Sequence, residues 1–226
     1  MPSIANIAAQ ALQRRITNGE FAAGAALPSQ RELADQLAIS RASLREAIST
    51  LEALGLVRSQ PGKGVFVTAG SQRDATQPLR GTASMTPQAL IEFRAALEPA
   101  WAALAAQRID DDGRARLAAI QAGMEDALKV GDLVMAADWD LQFHMLLAEL
   151  CGNPGLIEIA HQFREQIGHS LRLPFSRSAS IWEPADEHRL IIDAILAGDA
   201  AAAAAAMHAH LGGASRRIGI DYRPPG

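Results

Sequence analysis

Residues 27–67 read LPSQRELADQLAISRASLREAISTLEALGLVRSQPGKGVFV. Ser29 followed three residues later by Glu32 is a capping box, so a helix opens there. The short turn Ala38-Ile39-Ser40 separates it from a second helix, with Ser40 as its cap. Leu44, Ala47, Ile48, Leu51 and Leu54 recur at steps of three and four and form a buried stripe, and Gly55 ends the run. Residues 56–68 then alternate around Pro61-Gly62-Lys63-Gly64, the pattern of a two-stranded hairpin. Two short helices joined by a tight turn and followed by a hairpin make a winged helix-turn-helix.

Such a unit reads DNA with the outward face of its second helix. Arg41, Arg45 and Ser49 lie four apart, opposite the apolar stripe. Arginine suits bidentate contact to guanine or phosphate. Arg31 reaches the same backbone from the preceding helix, and Lys63 sits at the hairpin tip between two glycines. Taken singly, these charges read equally well as solvated surface groups. Capping box, turn, basic face and Gly-Lys-Gly tip in one order favour a DNA reader. Upstream, residues 3–18 read as a helix with Ile4, Ile7, Ala8, Ala11, Leu12 and Ile16 on one side.

Whole-chain composition hides this. The 226 residues carry a net charge of -4. Residues 1–70 hold seven Lys/Arg and five Asp/Glu, whereas residues 71–226 hold fourteen and twenty. A slightly basic front and an acidic back suggest parts with different partners. The single cysteine, Cys151, excludes an internal disulfide and fits a reducing cytoplasm. No apolar run approaches the roughly 18 residues of a membrane span, and no secretory signal is visible at the start. The expected location is therefore the cytoplasm, on the nucleoid when DNA-bound.

Residues 69–84 are small and polar and read as a linker between a domain over 1–68 and a second over 85–217. The second domain shows only helical periodicity. Six segments are expected, at about 86–107, 111–130, 132–151, 154–173, 180–198 and 199–217, with a frayed tail over 218–226. The fold class is mainly α, an antiparallel helical bundle behind the reader.

Inside that bundle, charges occupy apolar faces. Asp140 and His144 stand four apart on a helix whose same face continues into Leu147 and Cys151. His188 shares a face with Ile191, Ile192 and Ile195. His210 shares one with Ala203, Met207, Leu211 and Ala214. One Asp and three His on core-facing helices suit a borderline divalent ion such as Zn²⁺, Ni²⁺ or Mn²⁺. A buried Asp–His hydrogen bond with two satisfied core histidines is the plainer alternative. Cys151 lies roughly 10 Å beyond His144 along the helix, too far to share an ion. Arg94 is a further charge on an apolar stripe, with Leu90, Leu97 and Trp101. Either it forms a structural ion pair with Glu98 one turn on, or it meets an anionic ligand. Asn153 is either a pocket residue or a helix cap. Arg164, Gln166, His169 and Arg172 are looser candidates for a cavity wall.

The front half resembles the DNA-binding domain of GntR-type bacterial transcription regulators over about residues 8–68. The resemblance implies a homodimer on a palindromic double-stranded operator, with Arg31, Arg41 and Arg45 as DNA-contacting arginines. Ser40, Ser43, Gly62 and Lys63 fall at neighbouring contact positions. Gln30 stands where the family usually has glutamate, and Ala38 where the turn often has glycine. The back half is similar to the FCD ligand-sensing domain of the FadR subfamily, through "FRAALE" (93–98), "DLQFHMLL" (140–147), "CGNP" (151–154), "EHRLIIDAILAGD" (187–199) and "MHAHL" (207–211). The six-helix count points to its VanR-like branch. By this resemblance Asp140, His144, His188 and His210 are the metal ligands and Arg94 serves a small carboxylate effector, with Asn153 a further pocket candidate beside it. The implied function is a repressor-type regulator controlled by that effector beside the ion. Two rival expectations stand: a metal-dependent enzyme acting on a small carboxylate, and a regulator whose ion is purely structural.

Overall fold

The computed structural model describes residues 3–68, 85–172 and 181–222. The expected linker, 69–84, and the last four residues of the tail lie outside this set. Among the described residues are ten helices and one two-stranded sheet.

The reader begins with α1 (Ile4–Thr17), α2 (Gln30–Gln36) and α3 (Arg41–Ala53). The capping box forms as expected: Ser29 Oγ accepts from Glu32 N–H, and Glu32 accepts from Ser29 N–H. Ser40 Oγ caps α3 by accepting from Ser43 N–H at 3.0 Å. Between the helices, Ala38 adopts φ 52°, the one non-glycine residue with positive φ among those described. The turn needs a left-handed residue to swing α3 across α2, and a Cβ there is strained by about 1 kcal/mol. β1 (Val57–Gln60) and β2 (Gly64–Val67) pair antiparallel, Val57 opposite Val67 and Gln60 opposite Gly64. Gly62 and Gly64, at φ 72° and 115°, make the tip.

The buried face of α1 differs from the expected one. Ala5, Ala8, Ala9, Leu12 and Gln13 are buried, whereas Ile4 and Ile7 are 61% and 53% exposed. The helix is turned because it serves two neighbours, α3 on one side and the bundle on the other. Gln13, 3% exposed, is the polar member of that face. Its Nε2 donates to Gly131 O at 2.7 Å and its Oε1 accepts from Val134 N–H at 3.1 Å. One side chain thereby satisfies the exit of one bundle helix and the entry of the next.

The bundle holds α4 (Pro87–Arg108), α5 (Asp111–Lys129), α6 (Leu133–Leu150), α7 (Pro154–Gln162), α8 (Arg164–Arg172), α9 (Glu183–Leu196) and α10 (Ala200–Arg217). Thr86, Asp110, Asp132, Asn153 and Asp199 cap five of them. Seven segments replace the expected six, because the run 154–173 is broken. Phe163 leaves helical geometry at φ -103°, ψ 13°, and its ring packs on Phe93 at 4.7 Å between centroids. The helix count that pointed to the VanR-like branch is therefore not met. The tail is also less frayed than expected. Ile218 packs against Leu90, and Tyr222 against the bundle core.

α4 packs on α10, α6, α9 and α8, and α6 lies between α5 and α4. At this centre Trp101 and Phe143 are fully buried. Gly123 of α5 makes room for α6: a Cβ there would lie 2.5 Å from the Trp139 ring.

Candidate metal centre and nucleic-acid interface

Most of the sequence-chosen DNA residues are exposed, and Ser43 is half-buried. Arg31 on α2, Arg41 and Arg45 on α3, and Gly62 and Lys63 at the hairpin tip are all exposed. No ion pair or hydrogen bond of the Arg31, Arg41, Arg45 or Lys63 side chain occurs among the described residues. Free guanidinium groups on an outward helix face are what backbone and base contact require. The Ser40 and Ser43 hydroxyls bond each other at 3.0 Å at the start of α3. Glu52 Oε1 accepts from Ser59 N–H at 2.5 Å and ties the recognition helix to the wing. Two grooves, of about 460 and 420 Å³, flank the arginine face; one runs under the Gly62-Lys63 tip and the other beside Arg45.

In the bundle, α6 supplies Asp140 and His144, α9 supplies His188, and α10 supplies His210. Each is at most 2% exposed. One ligand atom from each of the three histidines lies within 4.8 Å of the others. Asp140 Oδ1 approaches His144 Nε2 at 3.3 Å and His188 Nε2 at 3.4 Å. These are close approaches without the alignment of hydrogen bonds. Asp140 Oδ1, both His188 nitrogens and His210 Nε2 have no hydrogen-bond partner among the described residues. Buried polar atoms ordinarily do have one, so a convergent unpaired set makes this cluster a candidate ligand site. The donor set, three imidazoles and one carboxylate, fits a borderline divalent cation.

Three of the four groups are biased toward the protonation state that binds a cation. Burial pushes His188 down to about 4, with Asp140 only partly opposing. Burial also lowers His210. Burial alone would raise Asp140, but His144 and His188 beside it hold it far below the carboxylate range. His144 is the exception: burial lowers it, and the Glu98 and Asp140 carboxylates together more than offset this, so it is raised. Neutral imidazole and ionised carboxylate are the forms that bind cations.

Arg94 is buried at 0% exposure and paired with Glu98, as one of the two sequence alternatives had it. Nε donates to Glu98 Oε1 at 2.7 Å and Nη2 to Oε2 at 3.1 Å. Nη2 also lies 3.3 Å from His144 Nε2, and Nη1 donates to Ser170 Oγ at 3.3 Å. Burial would raise Glu98, but Arg94 and His144 hold it down at about 2. Glu98 Oε2 is 3.0 Å from His144 Nδ1, so the pair adjoins the histidine cluster directly.

Asn153 is not brought to this cluster. It is exposed, and its Oδ1 accepts from Gly155 and Leu156 N–H as the α7 cap. Arg164, His169 and Arg172 of α8 instead line a cleft of about 490 Å³ against α1 and α3. Ser170 is the α8 side chain that reaches Arg94. Three groups escaped the sequence reading: Ser170, Glu187 and Arg217. Glu187 has no role in the sequence reading. In the fold its Oε2 accepts from His210 Nδ1 at 2.8 Å, and Arg217 grips it with two nitrogens at 2.7 and 2.8 Å. Burial would raise Glu187, but these bonds hold it at about 2.

Residues 4–67 match the family described as bacterial regulatory proteins, gntR family, and residues 89–213 match the FCD domain. The chain belongs to the GntR family, with an FCD domain as its second half. Two curated relatives agree. It is 32% identical over 209 residues to the HTH-type transcriptional regulator LutR of Bacillus subtilis (strain 168), covering 87% of this chain and 92% of LutR. It is 31% identical over 211 residues to the Exu regulon transcriptional regulator of Escherichia coli (strain K12), covering 88% and 78%. Among solved structures, Streptococcus agalactiae GntR superposes with a TM-score of 0.51 at 28% identity, over 94% of this chain and 99% of that one. A GntR regulator from Rhodococcus sp. RHA1, at 24% identity, shares the fold with a TM-score of 0.54 over 97% and 99%. This GntR chain is thus a DNA-binding transcriptional regulator, and the family and relatives it matches are regulators rather than enzymes. No described helix is long and apolar enough to cross a membrane.

Proposed function

We propose that the chain is a homodimeric, repressor-type regulator whose operator affinity is set by a small carboxylate effector. The effector binds beside a divalent cation held by Asp140, His144, His188 and His210. The observation that carries this reading is the convergence of four buried donors, most of them unpaired, next to a buried arginine. When bound, such an ion supplies a positive charge and open coordination positions for an effector oxygen. Arg94, whose charge is balanced by Glu98, offers the effector carboxylate hydrogen bonds from its Nη1 edge, where the Ser170 hydroxyl is its one partner among the described residues. Arg31, Arg41, Arg45 and Lys63, with Ser40, Ser43 and Gly62 around them, form the operator-facing surface. Two copies place two such surfaces on the half-sites of a palindrome.

Coupling runs through α6. It carries two of the four ligands, and its first turn is clasped by Gln13 of the reader. Asp138 of α6 also accepts from Asn6 of α1 at 3.1 Å. A shift of α6 on effector binding therefore moves α1, against which α3 packs. The effector acts only by binding the two arrangements unequally.

The test is fluorescence anisotropy of a labelled operator, with metal-loaded and chelator-stripped protein, across a panel of small carboxylic acids. At least one acid shifts operator affinity by roughly fivefold or more, within the usual coupling range. The shift vanishes on stripping and in His188→Ala. No shift with any acid, or a shift that persists in both, refutes the reading. A purely structural ion predicts that His188→Ala lowers thermal stability and leaves effector affinity intact.

A further inference from the structure

The three imidazoles of the cluster are not held alike. His188 lies face-on to Phe143, ring centroids 3.9 Å apart, and its Nδ1 has no hydrogen-bond partner among the described residues. His144 has Glu98 at 3.0 Å without hydrogen-bond alignment. Only His210 donates an aligned bond to a carboxylate, from Nδ1 to Glu187 Oε2. That carboxylate is itself fixed. Arg217 holds both its oxygens, and Arg217 Nη1 also reaches Glu183 at 3.0 Å.

Room for this arrangement comes from a glycine. Gly213 sits in the interior of α10, where glycine weakens a helix. It follows His210 by three residues and precedes Arg217 by four, so all three share one face. A Cβ at Gly213 would collide with the Glu187 carboxylate and lie 3.0 Å from Arg217 Nη1. The glycine therefore lets the Glu187 carboxylate cross from α9 onto α10, beneath His210.

We propose that Glu187, seated on Gly213 and pinned by Arg217, is a positioning residue that fixes His210 with Nε2 turned toward the bound cation. This rests on the metal reading above. A carboxylate behind a ligating imidazole selects the Nδ1–H tautomer, orients the ring and raises its donor strength. Loss of such a partner typically weakens metal affinity by about 10–100-fold. Glu187 touches neither ion nor effector and acts only through His210.

The experiment is equilibrium competition for Zn²⁺ between the full-length protein and a chromogenic chelator, for wild type, Glu187→Gln, Gly213→Ala and His188→Ala. Thermal melts of the stripped proteins accompany it. Wild type takes up one Zn²⁺ per chain. Glu187→Gln and Gly213→Ala each bind roughly 10–100-fold more weakly. Gly213→Ala keeps every polar group and raises helix propensity, so a loss of metal affinity without a loss of stripped-state stability reports displaced geometry. If Glu187→Gln does not fold, Gly213→Ala decides alone. Affinity within threefold of wild type in the folded variants overturns the proposal, while loss in His188→Ala keeps the metal reading intact. If wild type itself takes up no Zn²⁺, both fall.

Discussion

Replacing Glu98 with methionine removes one charge of a pair buried inside the bundle. Both side chains are 0% exposed, and the two Arg94–Glu98 bonds measure 2.7 and 3.1 Å. In Glu98→Met the guanidinium keeps only Ser170 Oγ and His144 Nε2, both at 3.3 Å. The Coulombic gain disappears while the desolvation penalty of Arg94 stays. Breaking a buried pair from one side costs about 3–5 kcal/mol. For a chain of this length each kcal/mol shifts the melting temperature by about 2–4 °C, so a fall of roughly 6–20 °C is expected. Removing both charges, in Arg94→Met with Glu98→Met, leaves no stranded ion and recovers about 2 kcal/mol or more. Urea denaturation followed by circular dichroism, on chelator-stripped protein, measures both variants without a bound ion's contribution. A single variant within about 1 kcal/mol of wild type, or a double variant no more stable than the single, refutes the view that Arg94 is neutralised mainly by Glu98.

Other parts of the molecule make separate claims. Ala38→Gly relieves the left-handed turn and raises stability by about 0.5–1 kcal/mol, seen as an upward shift of the reader's unfolding midpoint. Gln13→Ala leaves Gly131 O and Val134 N–H without their partner; a loss of about 2–4 kcal/mol follows, together with faster hydrogen exchange at the Val134 amide. Arg41→Ala or Arg45→Ala weakens specific operator binding by roughly 5- to 150-fold, measured by anisotropy at moderate salt. Lys63→Ala weakens binding to all sequences alike and reduces the salt slope by about 1.

What could be read beforehand was whatever local chemistry sets. Ser29 with Glu32, Ser40, and Gly62 with Gly64 each act within a few residues of themselves, so the reader's helices and wing were legible. So were Asp140, His144, His188 and His210, because a polar residue on an apolar stripe is visible in a helical period. Contacts made in three dimensions were hidden. The break at Phe163 carries no glycine or proline, and it depends on Phe93, seventy residues earlier. Ile4 and Ile7 looked like core because periodicity cannot show that α1 turns Ala5, Ala9 and Gln13 inward to serve two neighbours. Glu187 has no local signal. Its place on Gly213 and Arg217 becomes visible only when α9 and α10 are side by side. One signal was nevertheless present: a glycine pair, Gly212-Gly213, inside an alanine-rich helix has a local cost and therefore a reason elsewhere.

The proposed regulator holds one divalent cation on Asp140, His144, His188 and His210. Anomalous diffraction from crystals grown with Zn²⁺, recorded on either side of the zinc edge, tests this most directly. One peak per chain is predicted, about 2.0–2.2 Å from an Asp140 oxygen and one nitrogen of each histidine. Metal-replete crystals with no peak among these four residues, or with the zinc bound elsewhere, would contradict it.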